Sequence, residues 1–199
     1  MDELLKGIIL KGVGGEYSVL LENKQKVTAK PRGNLRQEKS VPYPGDIVSI
    51  SRSDLNNEYY SIEKIEPRKS FILRPAVANI DSLIITCSVK NPKTDMVFID
   101  KMIIICYKEN ITPVICITKS DIDLKRALEL KKEYNGLGFP VFMLGKGDRF
   151  LEDYVAIENY IEGKMVSFAG QSGAGKSTLL NSVVRKNCMK TGEVSLRNK

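Results

Sequence analysis

The pattern of hydrophobic and polar positions changes near residue 70 of the chain. Before it, short runs of strand-forming residues alternate with turn residues, as in GIILKGVGGEYSVLLEN, where Gly14 and Gly15 separate two such runs. Short strands at this spacing are typical of a small antiparallel barrel or sandwich. A length of about 70 residues and the turn Gly45-Asp46 before the strand IVSIS suit a five-stranded oligonucleotide-binding (OB) barrel. Another small β-barrel with no role in nucleic-acid binding is the alternative.

From residue 71 onward, apolar runs of strand length alternate with segments of helix length. The strand candidates are 82–89, 112–118, 140–144 and 164–168, and the helix candidates are 96–110, 123–135, 149–161 and 177–184. Alternating apolar strands and helices predict a mostly parallel sheet that is covered by helices on both faces. We therefore predict two domains, an all-β barrel in residues 1–70 and an α/β domain in residues 71–199.

One glycine-rich stretch of the second domain, FAGQSGAGKST (168–178), has the spacing of a phosphate-binding P-loop. In such a loop backbone N–H groups cradle the phosphates, the lysine reaches the β- and γ-phosphates, and the serine hydroxyl ligates Mg²⁺. The flanking strand and helix candidates place the phosphates at a helix N-terminus; a glycine-rich turn without a ligand is the alternative. The candidate nucleotide-binding residues are Gly170, Gln171, Ser172, Gly173, Ala174, Gly175, Lys176, Ser177 and Thr178, with Ser177 as the Mg²⁺ ligand.

A second motif, TKSD (118–121), ends the strand candidate 112–118. Ligands of open α/β sheets bind at the carboxyl ends of the strands, where this tetrapeptide lies. A carboxylate at Asp121 can accept hydrogen bonds from N1–H and the exocyclic amine of guanine, and adenine offers neither donor there. The stem of Lys119 can cover the base while its ammonium group reaches the P-loop. The alternative is that Asp121 and Asp123 cap the helix that follows.

Composition excludes several classes of protein. The chain has no run of about 18 apolar residues, so we predict no membrane span, and its N-terminus, MDELLKG, lacks the apolar segment of a signal peptide. It has no histidine, which removes the commonest general base. Its four cysteines are far apart, and we predict that Cys87, Cys106 and Cys116 are buried thiols and that they do not bind zinc.

The charge is positive and uneven. The chain has 31 basic and 24 acidic residues, and six of the basic residues lie between Lys24 and Lys39 beside a single acid, Glu38. Because this stretch belongs to the candidate barrel, we expect Lys30, Arg32 and Arg36 to contact RNA phosphates. The alternative is that these charges only keep the barrel soluble.

The order of the two motifs is unusual, since TKSD precedes the P-loop. In this order, and in KPRGNLR, YPGDIVSI, RPAVANIDSLIITCSVKNP (74–92), PVICITKSD, the P-loop and TGEVS (191–195), the chain resembles the circularly permuted, ribosome small-subunit-dependent GTPases, the RsgA/YjeQ/YloQ family. The resemblance implies a cytoplasmic, monomeric enzyme that binds GTP or GDP with Mg²⁺ and hydrolyses GTP. It also implies a role in late maturation of the small (30S) ribosomal subunit, with that subunit and its rRNA as partners.

The chain departs from the family pattern in two places. Thr118 replaces the usual asparagine, so that a side-chain amide tether to the P-loop is lost while a hydroxyl remains. Gly145-Lys146-Gly147 replaces the segment that supports guanine, and a backbone N–H near Lys146 is the candidate for the contact to guanine O6.

The chain also stops at Lys199, where the switch regions of the family should begin. We therefore expect a C-terminally incomplete sequence, with a genuine minimal protein as the alternative. Zinc is expected only in the missing C-terminal domain, and the residues that would position the attacking water are not assigned. A non-hydrolysing, nucleotide-sensing RNA-binding module is the competing interpretation, and an ATP-dependent kinase would leave Asp121 unexplained.

Overall fold

A computed structural model of the chain describes residues 4–33, 41–52 and 59–191, the last range with side chains up to residue 183. The chain forms two compact units, Met1–Ile80 and Asp81–Lys199. Residues 71–80, which the hydrophobic pattern groups with the second domain, thus belong to the first unit. The expected RNA contact Arg36 and residues 192–199 lie outside the described residues.

The first unit contains a closed barrel of five strands in the order β1-β2-β3-β5-β4. Neighbouring strands are antiparallel except for β3 and β5, which are parallel, and the pairing of β1 with β4 closes the barrel. This arrangement confirms the prediction of an OB-like barrel. The strands are β1 (Leu5–Val13), β2 (Glu16–Leu21), β3 (Lys26–Pro31), β4 (Ile47–Arg52) and β5 (Tyr60–Ile65).

The barrel follows from alternating apolar residues and one tight turn. Gly14 and Gly15 join β1 to β2 with φ angles of 59° and 82°, a backbone conformation that favours glycine and matches the twist of a hairpin. The inward-facing side chains alternate with less buried ones along most of the strands, as period-two patterning predicts, while β4 has three consecutive buried residues at a register shift. They form one core of Ile9, Val19, Leu21, Ala29, Val48, Ile50 and Ile62.

An ion pair with a buried carboxylate fixes the turn that leads into β4. Asp46 is fully buried, and its carboxylate accepts hydrogen bonds from Nε (2.7 Å) and Nη2 (2.9 Å) of Arg68. The backbone N–H of Tyr43 donates to the same carboxylate at 2.7 Å. The guanidinium group also lies over the rings of Tyr43 and Phe71, at 5.2 and 4.7 Å from their centroids. The acid of the YPGD segment therefore has a structural role in the first unit.

A short hairpin, β6 (Phe71–Leu73) and β7 (Ala76–Ala78), is attached to this turn. Gly45 has a φ of 87°, and a Cβ at this position would overlap the carbonyl oxygen of Ala78, so the close approach requires glycine. The side chain of Asn79 donates to the carbonyl of Gly45 (2.9 Å) and accepts from the N–H of Lys69 (2.8 Å). These contacts explain why the hairpin packs with the barrel.

The second unit alternates strands and helices around a parallel sheet in the order β10-β9-β8-β11. This confirms the predicted α/β architecture, and every residue of β8 is buried, as in a sheet that is covered on both faces. The elements are β8 (Ser82–Ser88), α1 (Met96–Lys108), β9 (Thr112–Thr118), α2 (Leu124–Gly136), β10 (Val141–Met143), a 3₁₀ turn (Asp148–Phe150), α3 (Leu151–Ile161), β11 (Val166–Ala169) and α4 (Lys176–Thr191).

Helices α3 and α4 share one core with the sheet. Its buried residues are Ile84, Val114, Cys116, Phe142, Leu144, Ile157, Ile161, Leu179 and Val183. Helices α1 and α2 pack against β8, β9 and β10 and bury Ile99, Cys106, Ala127, Leu130 and Tyr134. No helix in the described part of the chain is long and apolar enough to cross a membrane.

The prediction of buried thiols is confirmed for Cys87, Cys106 and Cys116, which are all free. Burial raises the pKa of Cys87 and of Cys106 to about 11 and raises that of Cys116 further. These thiols are therefore protonated at neutral pH and act as small apolar core residues.

Candidate nucleotide-binding site

The loop between β11 and α4 has the glycine-dependent shape of an anion-binding turn. Gly173 and Gly175 have φ angles of 75° and 83°. Gly170 lies against the side chain of Thr86 in β8, and a Cβ there would overlap the threonine hydroxyl. Backbone N–H groups converge on an anion in turns of this kind, and side chains at these positions would obstruct the turn or strain it.

The residues that follow the loop form the first turn of α4. Helix α4 begins at Lys176, and the N–H of Leu179 donates to the carbonyl of Gly175 at 3.0 Å. Lys176, Ser177 and Thr178 are all exposed. A helix N-terminus favours negative charge, so an ammonium group and a hydroxyl at this position suit a phosphate and a hard cation such as Mg²⁺.

A cavity of about 310 Å³ joins the TKSD motif to the P-loop. Its volume is in the range of sites for small molecules. It is lined by Thr118, Lys119, Asp121, Ile122, Leu144, Gly145, Lys146, Tyr154, Gly175, Thr178 and Leu179. The fold therefore brings the two motifs and the segment Gly145-Lys146 together around one space, although they are far apart in the sequence.

Asp121 lines this cavity, and the capping role falls to its neighbour. Helix α2 is capped by Asp123, whose carboxylate accepts a hydrogen bond from the N–H of Arg126 at 3.0 Å. Asp121 is exposed at the cavity wall. Gly145 lies directly beside it, since a Cβ there would stand 2.8 Å from the Asp121 carboxylate. The glycine thus leaves room around the carboxylate that is expected to read the base.

Thr118 connects the two motifs directly. Its hydroxyl donates a hydrogen bond to the carbonyl of Ala174 in the P-loop at 2.7 Å, and both residues are buried. Gly175 packs against the same side chain, since a Cβ on this glycine would lie 3.3 Å from the Thr118 Cβ. The hydroxyl that remains where the family has asparagine therefore makes a tether to the P-loop.

This contact gives a prediction for Thr118→Val. Removal of the hydroxyl leaves the buried carbonyl of Ala174 without this donor, at a cost of about 1–3 kcal/mol. We expect the variant to be less stable to heat and to bind GDP about tenfold more weakly, since the P-loop loses its link to the base-reading motif. Titration with a fluorescent GDP analogue and thermal unfolding measure the two effects.

Thr118→Ser keeps the hydroxyl and serves as the control. Wild-type GDP affinity in Thr118→Val would contradict the role of the tether.

Lys119 makes a different contact from the one that its place in TKSD predicts. Its ammonium group donates to the carbonyl of Asn91, in the loop between β8 and α1, and not to the P-loop. The same loop contacts the P-loop elsewhere: the side chain of Gln171 accepts a hydrogen bond from the N–H of Asp95 at 2.9 Å. The loop 89–95 therefore lies beside both motifs, and the sequence offers only the turn-forming Asn-Pro dipeptide as a sign of it.

The sequence motifs also do not indicate the apolar part of the cavity wall. It includes Ile122, Leu144, Leu179 and the ring of Tyr154 on α3. Burial raises the pKa of the Tyr154 hydroxyl, and the charge of Asp121 adds to this effect. Spacing along α3 marks Tyr154 only as a residue of a helical core face, so the sequence carries no signal for its place at the site.

In the first unit, the expected RNA contacts Lys30 and Arg32 are paired with acids. The ammonium group of Lys30 lies 3.1 Å from the Glu16 carboxylate and 4.0 Å from the centroid of the Tyr59 ring. Arg32 lies 2.6 Å from the Glu63 carboxylate. The side chains of Lys30 and Arg32 are 44% and 58% exposed. The Lys30 pair is exposed on both sides and contributes little to stability, so this cation can exchange partners, whereas the Glu63 carboxylate that pairs with Arg32 is only 16% exposed.

The P-loop lies at the carboxyl edge of a parallel sheet, the TKSD motif precedes it in the chain, and a closed barrel precedes both. This order of elements defines a circularly permuted GTPase fold. The family model described as RsgA GTPase matches residues 65–199, and the model described as RsgA N-terminal domain matches residues 6–60. The chain belongs to the RsgA GTPase family, which confirms the resemblance.

Sequence similarity to known proteins supports this family assignment. The small ribosomal subunit biogenesis GTPases RsgA of Ruminiclostridium cellulolyticum and Alkaliphilus metalliredigens are both 38% identical to the chain, over 190 and 192 residues. These alignments cover 95% and 96% of this chain but 62% and 64% of the relatives, so the chain spans less than two thirds of their length.

Two solved structures have the same fold. The crystal structure of YjeQ from Thermotoga maritima is 28% identical, with a TM-score of 0.76 over 99% of this chain and 68% of that one. The crystal structure of YloQ, described as a circularly permuted GTPase, is also 28% identical, with a TM-score of 0.71 over 90% of this chain and 64% of that one.

Proposed function

We propose that the chain binds GTP and GDP with Mg²⁺ and that it acts as a GTPase in biogenesis of the small ribosomal subunit. The observation that carries this proposal is the single cavity in which the TKSD motif meets the P-loop. Membership of the RsgA GTPase family and the names of the relatives support the reaction and the partner.

At the phosphate end, the chain's contribution is electrostatic. The backbone of residues 170–175 and the N-terminus of α4 bind the phosphates, and Lys176 compensates their charge. Ser177 is the side chain that would hold Mg²⁺ together with phosphate oxygens. In GTP hydrolysis a phosphoanhydride bond of the bound nucleotide is cleaved, and these residues would orient the phosphates on either side of that bond.

At the base end, the chain's contribution is selectivity. Asp121 accepts the two hydrogen bonds that guanine offers and adenine does not, while Gly145 leaves space beside it. The stem of Lys119 and the ring of Tyr154 supply apolar surface for the base. A backbone N–H near Lys146 is the candidate donor for guanine O6.

Titration calorimetry with guanine and adenine nucleotides tests this proposal. With Mg²⁺ present, we expect GDP and GTP to bind at least about a hundredfold more tightly than ADP and ATP, since each charge-assisted hydrogen bond contributes about 1.5–3 kcal/mol. Hydrolysis of GTP is then followed with and without purified small ribosomal subunits. Equal affinity for adenine and guanine nucleotides would contradict the proposal.

We further propose that the barrel contacts rRNA through the basic stretch that includes Lys30, Arg32 and Arg36. An OB-like barrel commonly binds nucleic acid, and the side chains of Lys30 and Arg32 are exposed, so that phosphates can reach both cations. Neutralisation of all three by glutamine should weaken binding to small subunits and lower its salt dependence, because fewer counterions are released.

Sedimentation with small subunits at several salt concentrations measures this effect, and GDP affinity should not change. A control variant carries the same charge change at the exposed residues Lys6, Lys11 and Lys64 of the same unit. If the control loses as much binding as the test variant, the total charge of the barrel explains the effect and the three positions do not.

A further inference from the structure

A second depression, of about 400 Å³, lies on the second unit and shares no lining residue with the nucleotide cavity. It is formed by the loop after β8 and by the first turns of α2. Its lining residues are Val89, Lys90, Lys93, Asp123, Lys125, Arg126 and Glu129. We refer to it as the Lys90 groove.

The carboxylates of the Lys90 groove are already engaged. Asp123 accepts the capping hydrogen bond from the N–H of Arg126 at 3.0 Å, and Glu129 lies 3.2 Å from the Arg126 guanidinium group. Both acids thus have partners other than the lysines, and four basic residues against two acids leave the groove with a net positive charge.

The three lysines of the groove form no ion pair with another described residue. Lys90, Lys93 and Lys125 are exposed, and none of their ammonium groups forms a salt bridge or hydrogen bond within the part of the chain that the structure describes. Like charges that surround one depression repel each other, and a bound polyanion relieves this repulsion. The field is reinforced because the groove includes the N-terminal turn of a 13-residue helix.

We propose that the Lys90 groove binds consecutive phosphates of a single-stranded RNA backbone. The proposal rests on the proposed function in one respect, since it takes RNA to be the partner of the chain. Lysines are flexible point charges, and here they come from two segments, an arrangement that suits phosphates spread along a strand. A site for one free phosphate is typically built from converging backbone donors or a forked arginine contact, whereas three of the four cations that line this groove are lysines.

Two matched variants test the groove. The test variant is Lys90→Gln, Lys93→Gln and Lys125→Gln; the control variant makes the same change at Lys101, Lys108 and Lys132, which are exposed on the same unit and do not line the groove. Binding of a short fluorescein-labelled single-stranded RNA to the full chain is measured by anisotropy over a series of salt concentrations. The test variant should bind about tenfold more weakly at low salt, and its salt slope should fall by about 2, since each phosphate contact contributes about 0.7.

Three results would contradict the proposal. Unchanged RNA affinity and slope in the test variant, an equal loss in the control variant, or no RNA binding by the wild type would overturn the proposal. Calorimetry with inorganic phosphate distinguishes the source of the anion: loss of phosphate binding without loss of RNA affinity would assign the groove to free phosphate and reject RNA.

Nucleotide binding separates this proposal from the proposed function. The loop that carries Lys90 and Lys93 also contacts Lys119 and Gln171, so GDP affinity is measured for each variant to show that the nucleotide site is intact. A wild-type chain that binds RNA through the groove but no GDP would reject the proposed function and leave the groove standing. A chain that binds GDP but shows none of the expected differences in RNA binding would reject the groove as an RNA site and leave the proposed function standing.

Discussion

Lys176→Ala is expected to abolish measurable binding of both GTP and GDP. Lys176 is the first residue of α4, it is exposed, and it directly follows the glycine turn that would hold the phosphates. An ammonium group at this position provides much of the charge compensation for the β-phosphate, and hydrogen bonds between charged partners are the strong ones in such a site. Because both nucleotides carry a β-phosphate, neither should escape the effect.

Calorimetry with GDP and GTP measures the loss. Lys132→Ala, which removes an exposed lysine of α2 outside the cavity, is the matched control and should bind both nucleotides like the wild type. Ser177→Ala should behave differently from Lys176→Ala, because loss of the candidate Mg²⁺ ligand weakens the dependence of binding on Mg²⁺. Repeating the titrations with EDTA separates the two roles. Unchanged GDP affinity in Lys176→Ala would reject the P-loop assignment.

Most elements of the second unit follow from the sequence because their signals are local. Strand β9 occupies 112–118 as predicted, and each helix candidate overlaps a helix. The observed ends of the helices differ from the predicted ends where the backbone conformation of a single residue ends the helix. Helix α1 stops at Lys108, because Asn110 takes a left-handed backbone conformation with a φ of 55°.

Packing between distant residues is what the sequence could not supply. Nothing in the spacing indicates that Arg68 reaches back 22 residues to the buried Asp46, or that Asn79 binds the carbonyl of Gly45. These contacts attach the β6–β7 hairpin to the barrel. The hydrophobic pattern marks only the change of period near residue 70, so residues 71–80 cannot be grouped with the first unit from local signals.

The candidate site divides in the same way. The P-loop and TKSD could be predicted, since each is a short motif whose chemistry depends on local spacing. The tether between them could not, because Thr118 and Ala174 are 56 residues apart and only the fold brings them within hydrogen-bonding distance. The same holds for Tyr154 and for the loop 89–95, whose contacts with the motifs are entirely tertiary.

Asp121→Asn is expected to change the preferred base from guanine to xanthine. The Asp121 carboxylate lines the cavity and would accept hydrogen bonds from N1–H and the exocyclic amine of guanine, whereas an amide would present a donor to one of these donors. Loss of one charge-assisted pair costs about 1.5–3 kcal/mol, which corresponds to a loss of GDP affinity of about tenfold to more than a hundredfold. Xanthine carries a carbonyl in place of the amine, so the amide can donate to it and xanthosine nucleotides should bind more tightly than to the wild type. Calorimetry with GDP and xanthosine diphosphate measures both changes.

The chain offers a close control for this substitution. Asp123→Asn makes the same chemical change two residues away, at the cap of α2, where asparagine caps as well as aspartate. It should leave base selectivity unaltered, because its side chain is engaged with the N–H of Arg126 and does not line the cavity. A shift toward xanthine in Asp121→Asn alone assigns base reading to the Asp121 carboxylate. If Asp121→Asn keeps the wild-type preference, or if Asp123→Asn shifts it equally, the carboxylate of Asp121 does not read the base.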